Sequence, residues 1–136
     1  PGNLGTIIRS ADWFGFRKII CSKNCVELYN PKVIQATMGS FTRVSLYYIE
    51  LPEILAQSQR VVFGTSMSGQ NLYETEFPEN SFVIVGNESH GISEKVTPMV
   101  DKWVTIPSRS SQTESLNAAI AASLILSEIS RKRIRP

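Results

Sequence analysis

A carboxylate stands between two glycines in Gly86-Asn87-Glu88-Ser89-His90-Gly91, directly after the apolar run Ser81-Phe82-Val83-Ile84-Val85. Glycine lets backbone come close to a ligand without side-chain obstruction, so an acid in such a loop could orient a polar group. His90 is the single histidine of the chain. No motif pairs it with a Ser or Cys nucleophile, so it reads as a structural or supporting residue rather than an acid–base catalyst. Two other segments end strands with small or polar residues: Gly64-Thr65-Ser66, and the stretch from Ile106-Pro107 to Ser115-Leu116-Asn117. Open parallel sheets bind ligands at such carboxyl ends, although Gly64 could equally mark an ordinary turn. Near the front, Arg9 lies one turn from Trp13 and three positions from Asp12, a spacing that suits a surface ion pair.

Several chemistries are excluded. No Gly-x-Gly-x-x-Gly follows the first strand, and no Gly-Lys-Ser/Thr closes a phosphate loop. Cys21 and Cys25, with His90 far away in sequence, have no metal-site spacing and form no disulfide framework. They read as reduced thiols of a cytoplasmic protein.

The elements that must position these residues alternate in type. Leu4, Ile7, Ile8, Ala11 and Phe14 share a helical face, with Asn3 as the expected N-cap and Gly15 as the stop. Strands are expected at Arg17–Cys21, Val44–Ile49, Arg60–Thr65, Ser81–Val85 and Trp103–Ile106. The fourth is a continuous apolar run of the kind buried on both faces of a parallel sheet. Helices are expected from Asn30-Pro31 toward Met38, from Leu51 through Ala56, from Ser93 to Val100, and from Leu116 to Ile129. This alternation predicts an α/β domain with a mostly parallel sheet flanked by helices.

The last helix organises the rest. Between Ala118 and Ile129 only Ser123, Ser127 and Glu128 interrupt the apolar residues, so it should be buried nearly all round. Its apolar surface exceeds what one small sheet covers, which predicts a homodimer using this helix and the one from Leu4 to Phe14. Ser115 and Asn117 stand at its entrance, where helix N–H groups lack partners and could hold a ligand's polar atoms.

At 136 residues, 42% hydrophobic and 19% charged, the chain can bury a sizeable core as one soluble domain. Its net charge of +2 says little, but Arg131, Lys132, Arg133 and Arg135 crowd the end. They suit either a helix dipole or a nucleic-acid contact. No signal peptide is visible in these residues, and no unbroken apolar run reaches transmembrane length. The opening Pro1-Gly2-Asn3 suggests a larger protein trimmed at its front.

Three segments together resemble the motifs of the SpoU/TrmH RNA methyltransferases of the SPOUT class, in the family's order and spacing. They are Asn3-Leu4-Gly5-Thr6-Ile7-Ile8-Arg9-Ser10-Ala11, Val85-Gly86-Asn87-Glu88-Ser89-His90-Gly91-Ile92, and Ile106-Pro107 with Glu114-Ser115-Leu116-Asn117. The resemblance covers essentially the whole chain. It implies a deep C-terminal trefoil knot, S-adenosylmethionine as methyl donor, a homodimer, and methylation of a ribose 2′-hydroxyl in tRNA or rRNA. It also implies a catalytic set of Asn3, Arg9, Glu88, Ser115 and Asn117. The cofactor would lie against Gly64, Thr65, Val85, Gly86, Asn87, Ile106, Ser115, Leu116 and Asn117. Family members usually have a Met after the Pro and a Gly two positions further on. Here Ser108-Arg109-Ser110-Ser111-Gln112-Thr113 fills the space, one residue longer.

Under this resemblance Arg9 would stabilise the developing alkoxide and hold a neighbouring phosphate, since a guanidinium stays charged and cannot act as a base. Asn3 and Glu88 would fix Arg9 and the ribose. The rivals are a non-catalytic RNA-binding dimer, which the intact motif residues disfavour, and a generic nucleotide-binding domain, which the missing phosphate loop disfavours.

Overall fold

The computed structural model describes residues 2–134. Pro1 and Pro136 lie outside them, as does Arg135, the last cation of the basic tail. Two compact units divide the chain, one made of residues up to 51 with those from 122 onward, the other of residues 52–121.

In the first unit, α1 (Gly2–Trp13) leads to β1 (Lys18–Cys21), α2 (Pro31–Thr37) and β2 (Ser45–Tyr48). β1 and β2 pair in parallel, Lys18 opposite Ser45 and Cys21 opposite Tyr48. Ile8 and Ala11 of α1 form a buried core with Val33 and Val44, against which Leu4, Phe16, Ile19, Leu46 and Leu126 pack. Spacings of three and four put Leu4, Ile8 and Ala11 on one face of the helix. Gly5 lets α2 come close, since a Cβ there would run into Ala36 and the Val33 carbonyl. Asn3 is not the N-cap expected of it: the helix starts at Gly2 and carries Asn3 in its first turn. Gly15, at φ +82°, follows the end of the helix as expected. α2 has the cap its sequence announces, with Asn30 Oδ1 accepting from the Lys32 N–H at 2.9 Å and Pro31 in the first turn.

In the second unit, β3 (Val62–Asn71) lies between β4 (Phe82–Ile84) and β5 (Lys102–Thr105), all parallel. Instead of one sheet, the strands therefore form a pair in one unit and a trio in the other. β3 also runs past its expected end at Thr65. Thr65 and Gln70 both register with Val104, so Ser66 to Gly69 bulge out before the strand resumes. Gly69 is obligatory there, because a Cβ would sit 2.8 Å from the Trp103 carbonyl oxygen. Val62, Phe63, Leu72, Val96 and Val104 are buried, with Phe77 tilted against Phe63 at 4.6 Å.

Three further expectations change. β4 is an edge strand paired with β3 alone, and its residues are half-buried instead of buried on both faces. The helix expected from Ser93 to Val100 shrinks to a 3-10 turn at Thr97–Met99 after one bonded turn from Ser93. Pro98 removes a donor and disfavours helical geometry at the residue before it. Finally, α4 (Ala118–Arg133) is not buried all round: Ile120 is 52% and Leu124 37% exposed, one turn apart on one face.

α4 begins in one unit and continues into the other. Its basic end is partly engaged. Arg131 reaches both oxygens of the buried Glu128 at 2.8 and 2.9 Å, and Arg133 lies 5.8 Å from the centre of the Phe16 ring. The Arg131 fork is the main cause holding the Glu128 carboxyl below its ordinary range. Among the described residues no helix is long and apolar enough to cross a membrane.

Candidate functional site

The loop that carries Glu88 is closed by its own backbone. The Asn87 N–H donates to the Gly91 carbonyl at 3.0 Å, and the Gly91 N–H donates back to the Asn87 carbonyl at 2.7 Å. Asn87 Oδ1 then accepts from the Ser89 N–H at 2.7 Å, tightening the turn. Gly91 takes φ +65°, a left-handed conformation costly for other residues. Gly86 has a different requirement: a Cβ would meet the Gly91 carbonyl carbon at 2.5 Å and the Ile92 nitrogen at 2.7 Å. The glycines that bracket Glu88 thus let the loop fold back on itself.

Glu88 projects from this turn onto the start of α4, where Oε1 accepts the Ala118 N–H at 2.9 Å. Asn117 Oδ1 accepts the next two, from Ala119 at 2.9 Å and Ile120 at 3.2 Å. The Asn117 carbonyl takes the Ala121 N–H. The helix entrance expected to hold a ligand's polar atoms therefore spends its N–H groups on side chains of the chain itself. Nothing in the local sequence announces Glu88 as a cap, because the bond spans thirty residues.

The remaining cofactor-side candidates gather in the same unit. A Cβ on Gly64 would strike Trp103, Val100 and Ile92, which places Gly64 beside the residue that follows the Glu88 loop. Gly64 is thereby fixed by packing as well as by any ligand. Thr65 follows it in β3, Val85 leads into the loop, and Ile106 follows β5, all partly buried. From Pro107 to Asn117 the chain is exposed and without helix or strand, and its longer Ser108–Thr113 insert is held by short Ser108–Ser110 and Ser110–Gln112 bonds. Ser115 and Leu116 are exposed at its end. His90 is exposed in the loop and takes part in none of these bonds.

Asn3 and Arg9 belong to the first unit. Arg9 is exposed and makes no ion pair or hydrogen bond among the described residues. The pair with Asp12 allowed by its spacing does not form. Instead Asp12 takes Arg17 at 2.9 Å, Arg43 at 2.8 Å and the Ser40 hydroxyl at 2.9 Å. The Ser40 hydrogen bond and the Arg43 guanidinium hold its carboxyl below the usual range. Sequence reasoning missed Arg17 and Arg43, since the partners lie five and thirty-one residues from Asp12.

Cys21 and Cys25 are free thiols, as expected. Cys25 is exposed, with its sulfur 3.3 Å from the Ser22 hydroxyl. A hydrogen bond from the Cys21 thiol draws Cys25 well below the ordinary thiol range and pushes Cys21 up. Among the described residues no cluster of His, Cys, Asp and Glu could hold a metal ion.

The sequence pattern of the SpoU rRNA Methylase family matches residues 1–127. This chain belongs to the SpoU family. It is similar to the 23S rRNA (uridine(2479)-2′-O)-methyltransferase of Streptomyces viridochromogenes, 33% identical over 98% of this chain and 50% of that protein. The 23S rRNA (guanosine(2553)-2′-O)-methyltransferase RlmP of Bacillus subtilis is also 33% identical, over 93% of this chain and 52% of its own length. The SpoU methyltransferase AviRb from Streptomyces viridochromogenes, solved with AdoMet, superposes with a TM-score of 0.88 at 32% identity, covering 98% of this chain and 54% of that one. The present SpoU-family chain thus spans about half the length of the curated relatives it matches.

Proposed function

We propose that this chain is the methyltransferase domain, residues 1–136, of an enzyme that methylates a ribose 2′-hydroxyl of tRNA or rRNA, with S-adenosylmethionine as donor. The reading also takes the deep C-terminal trefoil knot of the SPOUT class as the form of the cofactor end. The observation that carries it is the clamp between Glu88 and the start of α4. It ties the second SpoU motif to the start of the helix that the third motif leads into, which supports a shared site. Relatives named as 2′-O-methyltransferases of 23S rRNA support the reaction, and the AdoMet-bound AviRb structure supports the donor.

The residues present fit that donor. Gly86 and Gly91 begin and end the Glu88 loop without side chains, and the space around a Cβ on Gly91 is open. The exposed backbone of residues 107–117 leads to the helix start that Glu88 caps, with the Ser115 hydroxyl free of protein partners among the described residues. When bound, S-adenosylmethionine would supply the methyl group by cleavage of its S–CH3 bond, leaving as the neutral thioether S-adenosylhomocysteine. The protein's task is then positioning and charge stabilisation. The ribose oxygen gains the methyl group and its hydroxyl proton leaves to solvent. Arg9 stabilises the negative charge that develops on that oxygen and grips the adjacent phosphate through its planar fork. Asn3 and Ser115 orient the ribose by hydrogen bonds, while Glu88 and Asn117 hold the loop and helix in place.

The enzyme acts as a homodimer in this reading, because Ile120 and Leu124 leave an apolar stripe of α4 exposed. The proposed interface uses α4 together with the helix from Leu4 to Phe14, part of whose apolar face also packs in the core of its own unit. Light scattering decides this point: a clean monomer that still methylates RNA rules the dimer out. The reaction is tested by incubating the full-length protein with methyl-labelled S-adenosylmethionine and total tRNA or rRNA, then mapping the product. Label on a ribose 2′-oxygen is expected. Label on a base, or none in any RNA, overturns the proposal.

A further inference from the structure

Side chains three and four positions apart on a helix are neighbours, so Arg9 lies between Asp12 and Trp13 on the surface of α1. Trp13 is 83% exposed, an unusual cost for the largest apolar side chain of a small domain. Arg9 carries a charge with no partner among the described residues. Asp12, its side chain only 15% exposed, gathers Arg17 and Arg43 from outside the helix. Those two side chains remain 60% and 55% exposed. Arg43 uses Nε and Nη2 on one Asp12 oxygen, and Arg17 uses Nη1 on the other, so each guanidinium keeps further donors for a second partner. Three arginines against one carboxylate leave the patch with a formal charge of +2 (3 − 1).

We infer that Trp13 and the Asp12-anchored pair Arg17 and Arg43 form a second RNA contact, in which an unpaired base stacks on Trp13 and neighbouring phosphates bind the two guanidiniums. The choice of RNA as partner rests on the methyltransferase reading above. Three features favour it over a protein surface. The patch is strongly cationic, and its cations are pre-oriented by a carboxylate that they outnumber. Trp13, next to Asp12 in the chain and one helical turn from Arg9, adds a flat exposed aromatic face, and cations with an aromatic face are the combination that binds single-stranded nucleic acid. The patch adjoins Arg9, so an RNA whose ribose reaches Arg9 passes over Trp13 one turn away. Asp12 is a positioning residue here, since it touches the arginines and not the RNA.

The test measures binding of labelled oligouridine and unfractionated tRNA to the full-length protein over a range of salt concentrations, with S-adenosylmethionine affinity as a control. Trp13→Ala should weaken RNA binding roughly five- to a hundredfold, the range for losing one stacked base. Arg17→Gln with Arg43→Gln should make the log–log salt dependence shallower by about 1.4, or about 0.7 per lost phosphate contact on a single strand. Arg17→Lys with Arg43→Lys should keep that slope but lose affinity, because an ammonium lacks the fork. All variants should bind S-adenosylmethionine as wild type does. If the arginine variants do not fold, Trp13→Ala decides alone, since an exposed side chain contributes little to folding. RNA affinity unchanged in Trp13→Ala overturns the inference. So does a variant that only dissociates an oligomer, which would mark the patch as a self-association face. A wild type that binds RNA through this patch yet methylates none would sink the methyltransferase reading and leave this contact standing.

Discussion

Glu88 Oε1 accepts a hydrogen bond from the backbone N–H of Ala118 at 2.9 Å, so a carboxylate from one loop caps a helix that begins thirty residues later. The bond places negative charge at the positive end of the helix dipole and satisfies a donor that the helix cannot. Glu88→Ala should therefore cost about 0.5–2 kcal/mol of stability, the usual worth of an N-cap. It should also weaken S-adenosylmethionine binding by loosening the loop from the helix. Glu88→Gln keeps an acceptor and should lose only part of either. Urea unfolding and calorimetry on both variants check this. Equal stability of Glu88→Ala and wild type would show that the cap carries no energy.

Gly86 and Gly91 bracket the same loop for different reasons, and substitution should separate them. A Cβ on Gly86 collides with the Gly91–Ile92 backbone, which cannot swing away as a side chain could. Gly86→Ala should cost about 1–3 kcal/mol, like other overpacking, and Gly86→Val more, with cofactor affinity falling as the loop distorts. At Gly91 there is open space, and the cost is the positive φ alone, about 1–2 kcal/mol. Denaturant midpoints should therefore rank Gly91→Ala above Gly86→Val. The reverse order would contradict the backbone geometry described here.

Arg9 stabilises no protein partner among the described residues, so its removal isolates its role in the reaction. Arg9→Ala should leave the unfolding midpoint near wild type and lower single-turnover methylation about a hundred- to a thousandfold, the usual loss of one charge-stabilising donor. Arg9→Lys should rescue poorly, because the planar fork is gone. S-adenosylmethionine affinity should change little in either variant. A wild-type rate in Arg9→Ala would remove Arg9 from the mechanism.

Asp12 makes stability depend on acid. Its folded-state pKa is lowered by the Ser40 hydroxyl first and Arg43 next, while the unfolded value is about 3.9. A depressed carboxyl contributes stability that is present in full above the unfolded value and is lost as pH falls through the folded one. The wild type should therefore lose stability below about pH 4, in the window set by this shift. Asp12→Asn should flatten that acid limb while lowering stability at neutral pH. The check is the urea midpoint across pH for both proteins. Parallel curves would mean that the Asp12 network does not couple to folding.

Much of this architecture follows from local pattern. The 4-8-11 apolar spacing of α1, the Asn30-Pro31 start of α2 and the glycine after α1 come from interactions within a few residues, and the five strands are announced by local apolar runs although their pairing is long-range. The three SpoU motifs are equally local, and the resemblance they carry puts Glu88, Gly86 and Asn117 forward as candidates for one site. Tertiary structure decided which groups meet. Residues 88 and 118 are joined across thirty positions, 12 and 43 across thirty-one, and neither pairing leaves a trace in nearby sequence. Asp12 could have paired with Arg9, three residues away, but the fold brought Arg17 and Arg43 to it and left Arg9 exposed. It likewise set the bulge in β3, where Trp103 leaves room for nothing larger than Gly69. Spacing along one helix fixes which partners are within reach. Which partner wins depends on the free energy of the whole packed arrangement, and that exists only once distant segments have come together.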